Sequence, residues 1–452
     1  MATTFVARGL AVLAAGGVIA LAGISTAKTA SGAATTSTAI DSKAWTGDFD
    51  GMLQRGRIRM LVPYSRTLFY VEGGKEHGLT ADLAHDFETY LNKRYAKELG
   101  GKRIKISLTP TTRDRLLSDL VAGKGDVSGG NLTATALRMQ TADFVAPTEQ
   151  DPALELLVCG PGAPAVANID DLSGKKVNVR QASSYLESLN ALNDKLRAAN
   201  KPPVQIVPMP DALEDEDMLE MLNAGLFDFI VVDSWKAKLW AEVSPQIKVR
   251  DDIVLRSGGT IGWAIRKQSP KLQAAIEGFY KTASQQGLID ARLVGYHDAL
   301  REIAQTYTGP ASARFSEALA LFRKSGKQYA FDPLMLTDAG YQDPAGGGDF
   351  EKNVQAATKY IDQIMSHDFA DAKFSETDRT LFIFASYKAG ADKIAGMRKE
   401  ASKRGLDPNQ WFNNVEQVTA EKLGLQTTAY VRNIMKYNVA YKLVAEAVAL
   451  KN

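Results

Sequence analysis

Two stretches of the chain repeat one another in spacing, and they constrain the fold more than any other feature. Residues 116–126 read as a helix ending in Ala122-Gly123, then two residues, then Asp126; residues 218–228 read as a helix ending in Ala224-Gly225, then two residues, then Asp228. A glycine after the last helical turn adopts the left-handed conformation that closes a helix. Each aspartate then leads into an apolar strand, Val127 in one case and Phe229–Val232 in the other. Two lobes, each with a helix, a glycine stop and a buried strand, are what this spacing predicts.

The elements around the repeat are of the α/β kind. Residues 57–62 (RIRMLV) alternate as a strand, and Thr80 is placed to cap a helix carrying Leu83, Phe87, Tyr90 and Leu91 on one stripe. Asp82 falls in that helix's first turn, where a carboxylate serves either the helix dipole or a ligand. Residues 175–179 (KKVNV) alternate as a second strand, and Ser184 with Glu187 forms an S-x-x-E capping box opening the next helix. Asp233 closes an apolar strand at a carboxyl end, where α/β sheets place ligands. It binds a ligand ammonium or caps the helix after it. Residues 262–267 give one more strand and 270–283 a helix, and the first domain is expected to end near Leu293.

Between these lies residues 126–147 (DVSGGNLTATALRMQTADFVAP), which read as a cradle for an anion. Gly129 and Gly130 permit close backbone approach, Thr133 and Thr135 offer hydroxyls, and Arg138 presents a planar fork matching a carboxylate. If Thr135 caps a helix, its free N–H groups and the Arg138 guanidinium converge on one point. The plain alternative is a cap beside a surface arginine.

Beyond a Gly/Pro-containing joint at residues 306–312, strand patterns cease. Phe315, Leu319 and Phe322 form one helical stripe, Val354, Ala357, Thr358, Ile361 and Met365 another, and Tyr430, Ile434, Tyr437, Tyr441 and Val444 a third. The C-terminal part is therefore expected to be all-helical, with its aromatic stripes as core. At the other end, Arg8, an apolar run over residues 9–24 and Ser25-Thr26-Ala27 read as a secretory signal at 1–27, with an uncleaved anchor as the alternative. An Ala/Thr/Ser-rich tether follows at 28–50.

Charge excludes some partners. With 54 Lys+Arg against 52 Asp+Glu and no basic-aromatic motif, nucleic acid is not expected. The single cysteine, Cys159, cannot form an internal disulfide and reads as a buried thiol. His77, His85, His297 and His367 lack paired ligand spacing, and no Walker or dinucleotide glycine pattern occurs, so neither metal nor cofactor is expected.

The motifs GLTADLA, NLTATALR with ADFVAP, DLSGKKVNVRQASS and NAGLFDFIVVDS follow one another in an order that resembles the periplasmic solute-binding proteins of the polar amino-acid type. The resemblance implies that Thr135 and Arg138 grip an α-carboxylate, that Ser183 at the start of the second-lobe helix adds N–H donors, and that Asp233 takes the α-amino group. The opening VPYSRTLFYVEGG and the later segments FDPLMLTDAGYQ, NVQAATKYI, FIFASYKAGADKI, GLDPNQWFNNVE and YVRNIMKYNVAYKL are similar to the membrane-bound lytic murein transglycosylase F family. The implied architecture is an α/β two-lobed periplasmic-binding-protein-like domain at 51–295, its second lobe at about 150–255. A linker at 296–312 and an all-α lysozyme-like transglycosylase domain at 313–452 follow. The implied partners are a small zwitterionic ligand and peptidoglycan, with attachment to the inner or outer membrane.

The resemblance also exposes departures. Relatives carry a catalytic Glu after Gly-Tyr-Gln; here Gly340-Tyr341-Gln342 is followed by Asp343 and Pro344. An Asp is one methylene shorter, and a proton misplaced by about an ångström costs on the order of 10²-fold in rate. The chain then passes through AGGG to Asp349 and Glu351 without the segment that lines the sugar cleft in relatives. The Ala-Tyr-Asn-Ala-Gly signature reads Ser386-Tyr387-Lys388-Ala389-Gly390, which leaves Tyr387 as the cleft candidate but replaces an amide by a cation. A helical domain kept for its fold, with its chemistry lost, is the expectation; cleavage with Asp343 as acid and base is the alternative.

Overall fold

The computed structural model describes residues 44–72, 75–147, 152–306, 359, 362–428, 430–432 and 435. The chain divides into two compact units, one of Ile40–Tyr70 with Glu76–Gln305 and one that contains Thr306–Asn452. The first unit has two lobes. Lobe 1 is a five-stranded sheet of β1 (Arg57–Pro63), β2 (Lys105–Thr111), β3 (Val127–Thr133), β4 (Ala142–Val145) and a late strand, β10 (Ile261–Arg266), in the order β2-β1-β3-β10-β4. Lobe 2 holds β5 (Ala153–Cys159), β6 (Lys176–Arg180), β7 (Gln205–Met209), β8 (Phe229–Asp233) and β9 (Lys248–Gly259), in the order β9-β5-β8-β6-β7. β1 runs parallel to β2 and β3, and β6 parallel to β7 and β8, so in each lobe these strands point their carboxyl ends the same way.

Each lobe has its own core. In lobe 1, Leu61, Leu116, Leu120, Leu132 and Ala264 pack together, and the rings of Phe87, Trp263, Phe279 and Tyr280 lie 5.1–5.9 Å apart in successive contacts. In lobe 2, Leu157, Val177, Val179, Leu189, Leu192, Phe229 and Val231 fill the space beside helix Ser184–Ala198. Burying each such side chain stabilises the fold by about 1.5–3 kcal/mol. The chain crosses between the lobes from Val145 to Ala153 and again at Thr260, whose carbonyl accepts from Ala134 N at 2.8 Å. Next to that crossing Gly258 has φ 81, which a side chain would strain.

Several local expectations change. The helix Leu79–Arg94 starts from Gly78, at φ 106 where a Cβ would meet the Leu68 carbonyl at 2.6 Å. Thr80 is therefore no cap; its hydroxyl donates to Gly129 O at 2.9 Å. The Ser184/Glu187 capping box does not form either. The cap position is Ser183, whose Oγ donates back to Arg180 O at 2.6 Å, and Glu187 turns instead toward Thr135 and Arg256. The two repeat aspartates diverge. Asp126 is fully buried and bound by Arg59, Arg266 and Arg55, an anchor at the base of lobe 1, whereas Asp228 is exposed. A continuous helix, Leu288–Thr306, runs through both the expected domain end near Leu293 and the start of the expected linker.

Among the described residues after 306 there is no strand, and Glu376–Ala389, Ala391–Lys403 and Glu416–Leu423 are α-helices. Phe369, Phe374, Phe382 and Trp411 form an aromatic core, and the Arg398 guanidinium lies over three of those rings. No helix among the described residues is long and apolar enough to cross a membrane.

Candidate functional site

The carboxyl ends of the strands in both lobes bring charged side chains to one small cavity, lined by Arg113, Asn131, Leu132, Thr133, Arg138, Arg180, Ser183, Ser184, Tyr185, Asp233 and Lys236. Its volume is about 10 Å³, room for about one water molecule. Asn131 lies on the rim of a strand end with φ 47, a conformation uncommon outside glycine.

Thr135 caps helix Ala136–Thr141, accepting from Arg138 N at 3.2 Å, and donates across the cleft to Glu187 Oε1 at 3.1 Å. Arg138 bridges the lobes as well, from Thr133 O in lobe 1 to Ala182 O in lobe 2, both at 3.0 Å. Burial lowers its pKa, and it has no carboxylate in ion-pair contact among the described residues. The flanking glycines play a different part from the expected one. A Cβ on Gly129 would meet Thr80 Cγ2 at 2.7 Å and one on Gly130 Leu116 Cδ1 at 2.6 Å, so both glycines admit the protein's own side chains.

In lobe 2, Asp233 ends β8 as the sequence suggested and makes no side-chain cap bond to the helix after it. It is 3% exposed, and its Oδ1 has no hydrogen-bond partner. Burial pushes its carboxyl up to about 6; Lys236 opposes the rise, and Asp215 and Glu155 add to it. Beside it Asp215 accepts from Arg180 at 2.6 Å, Lys236 and Tyr185 OH at 3.1 Å. Burial raises Asp215, but Arg180, Lys236 and Arg113 outweigh it and hold the carboxyl well below the usual range. Arg180 Nη1, buried, has no partner.

Ion pairs latch the lobes around the cavity. Arg113 of lobe 1 meets Glu214 at 2.5 Å and donates to Gly130 O at 2.9 Å; Ser65 Oγ donates to Glu216 Oε1 at 2.6 Å; Arg66 reaches Glu220 at 2.6 Å. Three of these partners belong to the acidic turn that opens helix Asp215–Asn223 or to that helix itself.

Thr133, Arg138, Ser183 and Asp233 thus line the cavity; Thr135 does not, its hydroxyl being held by Arg138 N and Glu187, and Asp82 lies in its helix's first turn away from the lining. Tyr387 is half-buried in helix Glu376–Ala389 of the other unit, next to the fully buried Ser386. Asp343, Asp349 and Glu351 lie outside the described residues. Sequence reasoning missed Arg113, Arg180, Lys236, Glu214 and Asp215. Arg180 ends its strand just as Asp233 does, and that signal was readable. Among the described residues no group of His, Cys, Asp or Glu is arranged to hold a metal ion.

The raised Asp233 gives a pH dependence. A ligand ammonium bound at Asp233 would need the ionised carboxylate, so below about 6 binding would first have to expel a proton, and affinity for an ammonium ligand should then fall by up to about tenfold per pH unit. Titration calorimetry between pH 8 and pH 5 checks this; a flat profile would remove Asp233 from the ammonium contact.

Residues 60–298 match the bacterial extracellular solute-binding proteins, family 3. Over most of its length the chain is similar to proteins named membrane-bound lytic murein transglycosylase F. It is 27% identical over 435 residues to that of Ectopseudomonas mendocina, covering 84% of this chain and 83% of the relative. With that of Desulfosudis oleivorans it shares 25% over 393 residues, covering 79% and 81%. A solved structure of an amino acid ABC transporter substrate-binding protein from Streptococcus pneumoniae bound to L-arginine aligns at 19% identity, over 56% of this chain and 98% of that one, with a TM-score of 0.46.

Proposed function

Because the chain belongs to the bacterial extracellular solute-binding proteins, family 3, we propose that its first unit closes on a small zwitterion, an amino acid or a cell-wall peptide fragment. The observation that carries this reading is the pairing of opposite unmet needs in one cavity. Arg138 lacks a carboxylate partner in ion-pair contact and Asp233 Oδ1 lacks a hydrogen-bond partner. A ligand with a carboxylate and an ammonium answers both. Binding proceeds by hinge closure about the two crossings, with charges desolvated between the lobes. Thr133 and Ser183 contribute polar groups around the carboxylate.

The second unit is a transglycosylase-like domain that has lost its chemistry. Asp343 in place of Glu, the shortened segment after it and Lys388 in the Tyr387 signature support this, and they make the chain a binding protein held at peptidoglycan. The protein is exported to the periplasm, with its N-terminal segment as signal or anchor, and uses no cofactor. The similarity along both halves to proteins named as murein transglycosylases favours one other reading, an active lyase using Asp343.

Digestion of purified sacculi separates the two. The full chain, run beside an active relative, is expected to release no 1,6-anhydromuropeptides. Anhydro products that disappear in Asp343→Asn would establish an enzyme instead.

A further inference from the structure

Three arginines line the cavity, and two of them, Arg138 and Arg180, come from opposite lobes without a carboxylate that is theirs alone. Arg138 comes from lobe 1; Arg180 comes from the end of β6 in lobe 2 and is 3% exposed. Arg180 spends Nε and Nη2 on Asp215 Oδ1, at 2.9 and 2.6 Å, and its Nη1 has no partner. The same Asp215 also serves Lys236, so one carboxylate is shared by two cations. Arg113 has a carboxylate of its own in Glu214.

Arg180 and Lys236 thus set two positive charges against the one carboxylate they both touch, whereas Arg138 has the charge of Glu187 near it. A ligand side chain that ends in a carboxylate meets Arg180 Nη1 with a Coulomb attraction that an amide oxygen lacks.

Resting on the zwitterion reading, we propose that Arg180 is a specificity residue that binds a second anionic group, so that the site takes acidic amino acids in preference to their amides. The ammonium goes to Asp233, one carboxylate to Arg138 and the other to Arg180 Nη1. The fork of Arg180 stays fixed by Asp215, so the second contact is preorganised.

The test is calorimetric titration of the full chain with glutamate, glutamine, aspartate and asparagine, each as the L and D form. The acids are expected to bind at least about tenfold more tightly than the matching amides, as a charge-assisted hydrogen bond predicts. In Arg180→Gln, where Asp215 keeps Lys236 and Tyr185, the acid-to-amide ratio should collapse toward one while amide binding persists. Amides that bind the wild-type chain as well as the acids overturn the proposal without any variant, and so does a ratio that survives in Arg180→Gln. Binding of neutral amino acids with no preference for acids would sink this inference alone; no binding of any amino acid would sink the zwitterion reading with it.

Discussion

Asp215→Asn should cost the first unit about 3–5 kcal/mol of folding stability, the amount lost when one partner of a buried ion network is removed. Asp215 is 1% exposed and holds Arg180, Lys236 and Tyr185 at once. The amide keeps the shape but leaves two buried cations facing a neutral group. Neither can reach water: Arg180 and Lys236 are 3% and 2% exposed. Urea unfolding measures the change, and a loss under about 1 kcal/mol would mean the network is a surface-like arrangement worth little. All three partners belong to lobe 2, so the damage should appear as unfolding of that lobe before any change in how the lobes meet.

Arg138→Ala is expected to weaken ligand binding by about 2–5 kcal/mol, about thirtyfold or more in affinity. The guanidinium is half-buried, it contacts backbone carbonyls in both lobes, and the residue lines the cavity. Truncation removes the carboxylate's partner and one lobe-to-lobe bond together. Arg138→Lys separates these contributions, because it keeps the charge and loses the planar fork; it should recover only part of the affinity. An alanine variant that binds at wild-type strength would show that the ligand carboxylate is held elsewhere.

How far the sequence revealed this site follows from what each residue signals locally. Thr135 was readable because a threonine three residues before Arg138 at a helix start has one common use, and the structure uses it so. Asp233 was readable as a polar end to an apolar strand. The two lobes were readable from the repeated helix, glycine and aspartate, and Gly123 and Gly225 do take the left-handed conformation, at φ 73 and 75. Arg113 and Glu214 were not readable, since their meaning arises only when lobes separated by a hundred-odd residues of chain, |i−j| = 101, come together. The capping box at Ser184 failed for the same reason: Glu187 had a better partner across the cleft than its own helix N-terminus. Gly129 and Gly130 were misread because a small residue signals close approach without saying what approaches.

The central claim is that a zwitterion closes the two lobes through Arg138 and Asp233. A thermal unfolding series of the full chain at pH 7.5 with increasing amino acid tests it directly, because a ligand that binds only the folded state raises stability as RT ln(1 + [L]/Kd). The expected result is a rise in Tm that grows with the logarithm of concentration for at least one amino acid, smaller at pH 5 than at pH 7.5 and displaced about thirtyfold or more to higher concentration in Arg138→Ala. No rise with any amino acid, or the same rise in Arg138→Ala as in the wild type, would contradict it.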